Sequence, residues 1–103
     1  MGEFRKTDEF ADWLKKLKDK RGKANILERI KRAEEGDFGD CKWHVRDGVS
    51  EMRIHSGPGY RLYFCKMGEA HHLLLVGDTK KPKNEQTRDM DRAFRVKKEE
   101  LGE

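Results

Sequence analysis

The turn Gly57-Pro58-Gly59 constrains the fold of this chain more than any other feature, because it separates two runs of alternating side chains. Polar and apolar residues alternate over residues 51–55 before it, and the run Tyr60–Lys66 follows it. A period of two is typical of a strand with two different faces. Asp47-Gly48 is a second hairpin turn, placed after a third alternating run, Cys41–Arg46. The middle of the chain is therefore predicted to form three antiparallel strands.

Two amphipathic helices are predicted before these strands in the sequence. Thr7 is a good N-cap for the first helix, which has an apolar stripe at helical spacing. The residues of that stripe are Phe10, Trp13, Leu14 and Leu17. Gly22 marks a break, a second helix runs from about Lys23 to Glu35, and Gly36 ends it. The buried side of this second helix is predicted to be Ile26, Leu27, Ile30 and Ala33. The two helices are expected to form a hairpin.

The remaining segments complete an α+β pattern. Residues 3–6 are compatible with a short edge strand, and His71–Val76 is predicted to be a central strand covered on both sides. Residues 77–85 are predicted to be a lysine-rich loop, and a last helix runs from about Glu85 to Glu100, with Met90, Ala93 and Phe94 inward. The expected fold is an N-terminal helical hairpin packed on a mainly antiparallel sheet of three to five strands, with a C-terminal helix. The helices are expected on one sheet face, which leaves the other face open.

The composition is that of one folded domain, residues 1–103, under a highly charged surface. Charged residues are 43% of the chain, but 24 basic residues face 20 acidic ones, and this near balance argues against disorder. No apolar run approaches the ~18 residues of a membrane span, and no signal-peptide stretch is present. Cys41 and Cys65 do not form a CxxC pair, which predicts reduced thiols and no zinc site. A cytoplasmic protein without metal or cofactor is expected.

Strand parity gathers polar residues on the sheet face expected to be open. Glu51, Arg53 and His55 share one face of their strand, and Arg61 and Tyr63 share one face of the next. Arginine binds phosphate through paired hydrogen bonds and stays charged. Carboxylate and imidazole groups serve as general acids or bases, and an exposed aromatic ring can stack on an unpaired base.

Lysines and one further histidine extend this set. Lys80, Lys81 and Lys83 follow a neighbouring strand and are expected to close the patch, and His44 is expected to face the surface, where it could touch RNA. Three interpretations remain open: a solvated sheet face with ordinary salt bridges, a phosphate-binding patch, and a catalytic site for RNA cleavage. The lysines of the first helix are either a solvated face or a contact to ribosomal RNA. The pair His71-His72 lacks a third metal ligand at suitable spacing.

The run from Glu51 to Phe64, EMRIHSGPGYRLYF, resembles the E-L-R-I-x-x-G-P-G-Y-R-V-Y-F block of RelE/HigB-type toxins, the phage-related addiction-module killer proteins. The resemblance extends over nearly the whole chain. The first-helix stripe, Arg29-Ile30, the turn Gly36–Asp40 and the pattern Gln86-x-x-Asp89-Met90-x-x-Ala93 are similar to other segments of that group.

The resemblance implies an endoribonuclease that cuts mRNA in the ribosomal A site, with the 2′-hydroxyl as nucleophile. It also implies a cognate antitoxin, often a small helix-turn-helix protein. Arg61 matches the phosphate-stabilising arginine of the group, Arg53 a basic residue of the preceding strand, and Lys80 a lysine after a Gly-Asp turn. The chain departs from the group there, because Gly77-Asp78 is followed by Thr79 and the loop is expected to be longer. The general base is open between Glu51 and His55.

Two other functions fit the same fold. One is a ParE-like inhibitor of DNA gyrase that has no enzymatic activity. The other is an inactive relative that binds only RNA or its antitoxin.

Overall fold

Three helices and one five-stranded sheet make up the computed structural model, which describes residues 2–102 and, at position 83, the backbone alone. The elements are β1 (Glu3–Lys6), α1 (Asp8–Lys16), α2 (Lys20–Glu34), β2 (Cys41–Arg46), β3 (Val49–Ile54), β4 (Tyr60–Lys66), β5 (His71–Thr79) and α3 (Lys83–Leu101). The strand order is β1-β5-β4-β3-β2, with β1 parallel to β5 and all other pairs antiparallel. The α+β class, the mainly antiparallel sheet and the C-terminal helix are confirmed.

Polar caps determine where the two N-terminal helices begin. The Thr7 hydroxyl accepts from the Phe10 amide and donates to the Leu75 carbonyl oxygen at 2.7 Å, which ties the start of α1 to the sheet. The Asp19 carboxylate accepts from the Gly22 amide at 3.0 Å and from the Tyr60 hydroxyl at 2.7 Å. Helix α2 therefore begins three residues earlier than predicted.

Gly22 is needed for close packing rather than as a break between helices. It lies in the first turn of α2, and a Cβ there would come within 2.7 Å of the Tyr60 ring and 2.5 Å of the Asp19 carboxylate. The sequence alone could not distinguish a glycine required for packing from one that ends a helix. The ring that requires a glycine here belongs to Tyr60 of β4, which is distant in the sequence.

The first core lies between the sheet and helices α1 and α2. Phe10, Leu14 and Ile26 of the helices are buried against one sheet face, and Trp13 packs at its margin. The sheet residues of this core are Phe4, Met52, Ile54, Tyr60, Leu62, Phe64 and Leu74. Leu27 was predicted to join them, but its side chain is 47% exposed because it lies on the outer side of α2.

Helix α3 covers the opposite sheet face, so the expectation of helices on one face only is wrong. Ala93 and Val96 of α3 form a second core with apolar sheet residues. Those sheet residues are Val49, Tyr63, Cys65, Leu73, Leu75 and Val76. The apolar character of β5 on both faces agrees with this arrangement, and the prediction of a strand covered on both sides is confirmed.

The lysine-rich connection is shorter than predicted. Strand β5 continues to Thr79, which pairs with Tyr60, and α3 begins at Lys83, so residues 80–82 alone connect them. Gly77 lies within this strand, and a side chain there would clash with the Trp13 ring, since a Cβ would be 2.4 Å from Trp13 Cζ3.

Neither cysteine is part of a disulfide, and the two lie on opposite sides of the sheet. Cys41 packs against the first core and Cys65 is buried in the second. Burial raises the pKa of the Cys41 thiol to about 11. No helix in the described range is sufficiently long and apolar to cross a membrane.

The contact between Gly77 and Trp13 is testable by substitution. Gly77→Ala places a methyl group against an indole ring that the Phe10 and Tyr60 rings hold on two sides, so the ring has little room to move. We expect overpacking to lower the free energy of unfolding by about 1–3 kcal/mol. Urea denaturation measures this, and Gly68→Ala is the matched control because a Cβ at Gly68 meets no atom within 4 Å. Equal stability of the two variants would contradict the packing argument.

The Asp19–Tyr60 hydrogen bond predicts an alkaline titration. The Asp19 carboxylate raises the pKa of Tyr60 to about 12, and burial raises the pKa of Tyr63 as well. A raised tyrosine pKa stabilises the fold fully below the unfolded value near 10, and this contribution is lost as the pH rises towards 12. Absorbance at the phenolate band should therefore show no ionisation near pH 10 in folded protein. Asp19→Asn should shift the first transition downward, whereas unfolded protein in guanidinium should titrate near 10 in both forms.

Candidate functional site

A cavity of about 730 Å³ opens where the ends of β3 and β4 meet the connection into α3. Its lining is cationic and contains no acidic residue. The lining residues are Lys42, Arg53, Arg61, Lys80, Lys81, Pro82 and Gln86. A cavity of this composition attracts anions. Arginine side chains in its wall favour phosphate over a monatomic anion, because a guanidinium can donate two hydrogen bonds to one phosphate.

The Glu51 carboxylate organises the two arginines. Its side chain is only 2% exposed, and Oε1 accepts hydrogen bonds from Arg53 Nε and Arg61 Nη1, both at 2.8 Å. Arg53 and Arg61 are direct partners across β3 and β4, where like charges would repel. The carboxylate between them offsets that repulsion, and its hydrogen bond raises the pKa of Arg53 above the ordinary value.

Arg61 is the most constrained cation of the cavity. The residue is 8% exposed, and its Nε has no hydrogen-bond partner in the described part of the chain. A buried donor without an acceptor costs about 1–3 kcal/mol. Because Arg61 lines the cavity, its guanidinium can offer a hydrogen-bond donor to an anionic oxygen bound there.

The lysines of the connection have different roles. The Lys81 ammonium binds the carboxylates of Asp78 at 2.8 Å and Asp89 at 3.4 Å, and the hydrogen bond to Asp78 raises its pKa. Lys80 donates its backbone amide to the Gly59 carbonyl, and its stem packs beside that glycine. No carboxylate of the described residues lies within 4 Å of the Lys80 ammonium, so Lys80 contributes an uncompensated charge to the cavity and Lys81 does not.

Helix α3 changes the predicted role of Tyr63. The Tyr63 ring is fully buried beneath α3, and its hydroxyl donates to Glu51 Oε2 at 3.2 Å. This leaves no exposed ring face for the base stacking predicted from the sequence. The prediction assumed an open sheet face, and α3 closes it.

Glu51 is likewise placed differently from the prediction. Both carboxylate oxygens accept hydrogen bonds from protein donors, and the group is buried below the cavity rather than among its lining residues. In this arrangement Glu51 positions the arginines and does not reach a substrate as a general base.

The two histidines of the predicted site, His55 and His44, line different cavities. His55 borders a small recess beside the cavity, together with Arg61 and Lys80. Its Nε2 lies 2.6 Å from Asp40 Oδ2, a hydrogen bond that lowers the pKa of Asp40. His44 lines a separate aromatic cavity with Trp43, so it is not brought to the arginines. His44 is exposed, as predicted, although an irregularity in β2 after Lys42 interrupts the regular alternation of that strand.

Lys42 and Gln86 line the cavity but were not predicted as site residues from the sequence. Lys42 pairs with Glu51 across β2 and β3, which places it on the same sheet face as Arg53. The residue alternation on the two sides of the Asp47-Gly48 turn was the sequence signal that could have predicted this position. Gln86 donates to the Lys81 carbonyl oxygen at 2.9 Å and so holds the connection in place. The side chain of Lys83, predicted to bind RNA, lies outside the described residues.

The described residues contain no group of three or more His, Cys, Asp or Glu side chains arranged to hold a metal ion. The cavity offers fixed positive charge and hydrogen-bond donors instead. Such a set binds phosphate and stabilises negative charge that develops on a phosphoryl oxygen.

Removal of the Glu51 carboxylate tests its organising role. Glu51→Ala leaves Arg61 buried beside Arg53 without a counter-charge, so we expect a loss of about 3–5 kcal/mol in the free energy of unfolding. Chemical denaturation measures this. Glu3→Ala is the control, because Glu3 forms only exposed pairs with Arg5 and His71 in the described structure and should change stability by less than about 1 kcal/mol. A loss no larger than that of the control would show that Glu51 is not essential to the arginine pair.

Two comparisons with known proteins bear on this site. The family model described as "Phage derived protein Gp49-like (DUF891)" matches residues 12–98, which include every residue lining the cavity. The chain is also 43% identical over 93 residues to an "Uncharacterized protein" of Haemophilus influenzae, a match that covers 90% of this chain and 89% of the relative.

Proposed function

The chain belongs to the Gp49-like family of phage-derived proteins, and we propose that it is the toxin of a toxin–antitoxin pair that cleaves mRNA on the ribosome. One observation carries the proposal: Arg61 is buried, held by Glu51, and lines a cavity in which every charged lining residue is a cation. The resemblance of the run Glu51–Phe64 to RelE/HigB-type toxins supports the same function. A cytoplasmic location and a small antitoxin follow from it.

The proposed reaction needs no metal or cofactor. The 2′-hydroxyl oxygen of one nucleotide attacks the adjacent phosphorus, the bond to the 5′-oxygen breaks, and a 2′,3′-cyclic phosphate and a 5′-hydroxyl end result. Arg61 and Arg53 stabilise the negative charge of the pentavalent phosphorane, and Lys42 adds positive charge from the edge strand. Electrostatic stabilisation of this kind is usually the largest contribution to catalysis.

The proton transfers are assigned to the exposed groups beside the arginines. His55 borders the recess next to Arg61, and the Asp40 carboxylate orients its ring, which suits it to accept the 2′-hydroxyl proton. The Lys80 ammonium, which has no carboxylate within 4 Å in the described range, is suited to donate a proton to the departing 5′-oxygen. Lys81 is held by two carboxylates and has a structural role.

Substitution of the cations tests the proposed nuclease. Arg61→Ala should reduce cleavage by about 10²–10³-fold, the typical cost of a lost charge-stabilising donor. Lys80→Ala should also reduce cleavage but leave stability unchanged, because its side chain is exposed and makes no ion pair in the described structure. Mapping of mRNA 5′ ends in a reconstituted translation reaction measures this, and growth arrest after induction provides the cellular readout.

Lys31→Ala is the matched control for these variants, because Lys31 is an exposed lysine of α2 outside the cavity. Full cleavage by folded Arg61→Ala protein would contradict the proposal. DNA breaks without new mRNA ends after induction of the wild-type protein would instead support a gyrase inhibitor, and absence of both effects an inactive relative.

A further inference from the structure

A second cationic surface lies away from the arginine cavity, at the corner between the end of α1 and the start of α2. It is a groove of about 460 Å³. Its lining residues, which define what we call the corner groove, are Leu17, Lys18, Lys20, Lys23, Ala24 and Leu27. None of them lines the arginine cavity, so the two surfaces are distinct.

The floor of the corner groove is apolar and accessible. Leu27 is one of three large hydrophobic residues that are exposed among the described residues, and 47% of its surface is accessible. Ala24 lies one helical turn before it and is also exposed, and its small side chain leaves room above the helix. Leu27 is not part of the core, because Ile26 and Ala33 form the buried side of α2.

The rim of the groove carries positive charge that the fold does not neutralise. Lys18, Lys20 and Lys23 line it, and no carboxylate of the described residues lies within 4 Å of their ammonium groups. The nearest acid in sequence, Asp19, is instead engaged by the Gly22 amide and the Tyr60 hydroxyl. An apolar floor with an uncompensated cationic rim complements a ligand that has both apolar and anionic groups.

We propose that the corner groove binds an amphipathic helix of a protein partner that presents leucine-like side chains at helical spacing and carboxylates beside them. Such a helix places its apolar stripe in the groove and its acidic residues against the lysine rim. The apolar floor favours this partner over RNA, because a phosphate backbone gains nothing from burying Leu27. The groove also offers neither an aromatic ring nor an arginine on which a base could stack.

The test uses a designed helical peptide of about 18 residues, or five turns, with leucines at i, i+3, i+4 and i+7 and glutamates elsewhere. A scrambled peptide of identical composition is its control. Fluorescence anisotropy with the full-length protein should give at least about tenfold tighter binding of the amphipathic peptide. Leu27→Ala should weaken that binding about tenfold, the effect of one buried leucine, and Lys20→Glu should weaken it further at low salt.

Matched substitutions outside the groove complete the design. Met67→Ala removes another exposed hydrophobic residue and Lys6→Glu reverses another exposed lysine, and both should leave peptide binding unchanged. All four variants alter exposed side chains, and circular dichroism verifies that each remains folded.

Two results would overturn the inference. In the first, the scrambled peptide binds equally well or Leu27→Ala has no effect. In the second, a single-stranded RNA of similar length binds the groove through Lys20 without dependence on Leu27, which would make it a nucleic-acid surface. These readouts do not involve cleavage, so failure of the proposed nuclease function would not alter their interpretation.

Discussion

A single buried carboxylate makes the rest of the site possible. Arg53 and Arg61 face each other across β3 and β4, and without Glu51 their charges would repel within the sheet. The interaction depends on register, because a shift of one residue would move every side chain of a strand to the other face. The turn Gly57-Pro58-Gly59 sets that register, so the turn, the carboxylate and the arginine pair form one structural unit.

Helix α3 determines how much of this sheet face remains available. It buries Tyr63 and the centre of the face in a second core, and the arginines remain accessible only at the strand ends. The two lysines beside this helix also differ in their partners. Asp78 of β5 and Asp89 of α3 bind Lys81, whereas no carboxylate of the described residues binds Lys80. Burial of Asp89 raises its pKa, and the Lys81 ammonium beside it opposes that shift. Packing thus concentrates the accessible positive charge at one cavity.

The two cationic surfaces differ in the chemistry that they offer. The arginine cavity has polar, hydrogen-bonding walls suited to a phosphate oxygen, whereas the corner groove has an apolar floor beneath lysines. A net charge of +4 alone does not separate these cases. What separates them is the side chain beneath the charge, a buried carboxylate in one and exposed leucine in the other.

The sequence by itself determined the strands of the central hairpins, the Thr7 cap of α1 and the shared face of Arg53 and Arg61, because these depend on local turn chemistry and on periods of two and 3.6. It also marked Lys80 as a candidate. The tertiary structure alone decided that α3 covers Tyr63, that Glu51 is a positioning group, that Gly22 serves a contact with Tyr60, and that Leu27 faces outward. Each of these depends on which distant segment packs against the residue, and periodicity along one segment contains no information about that neighbour.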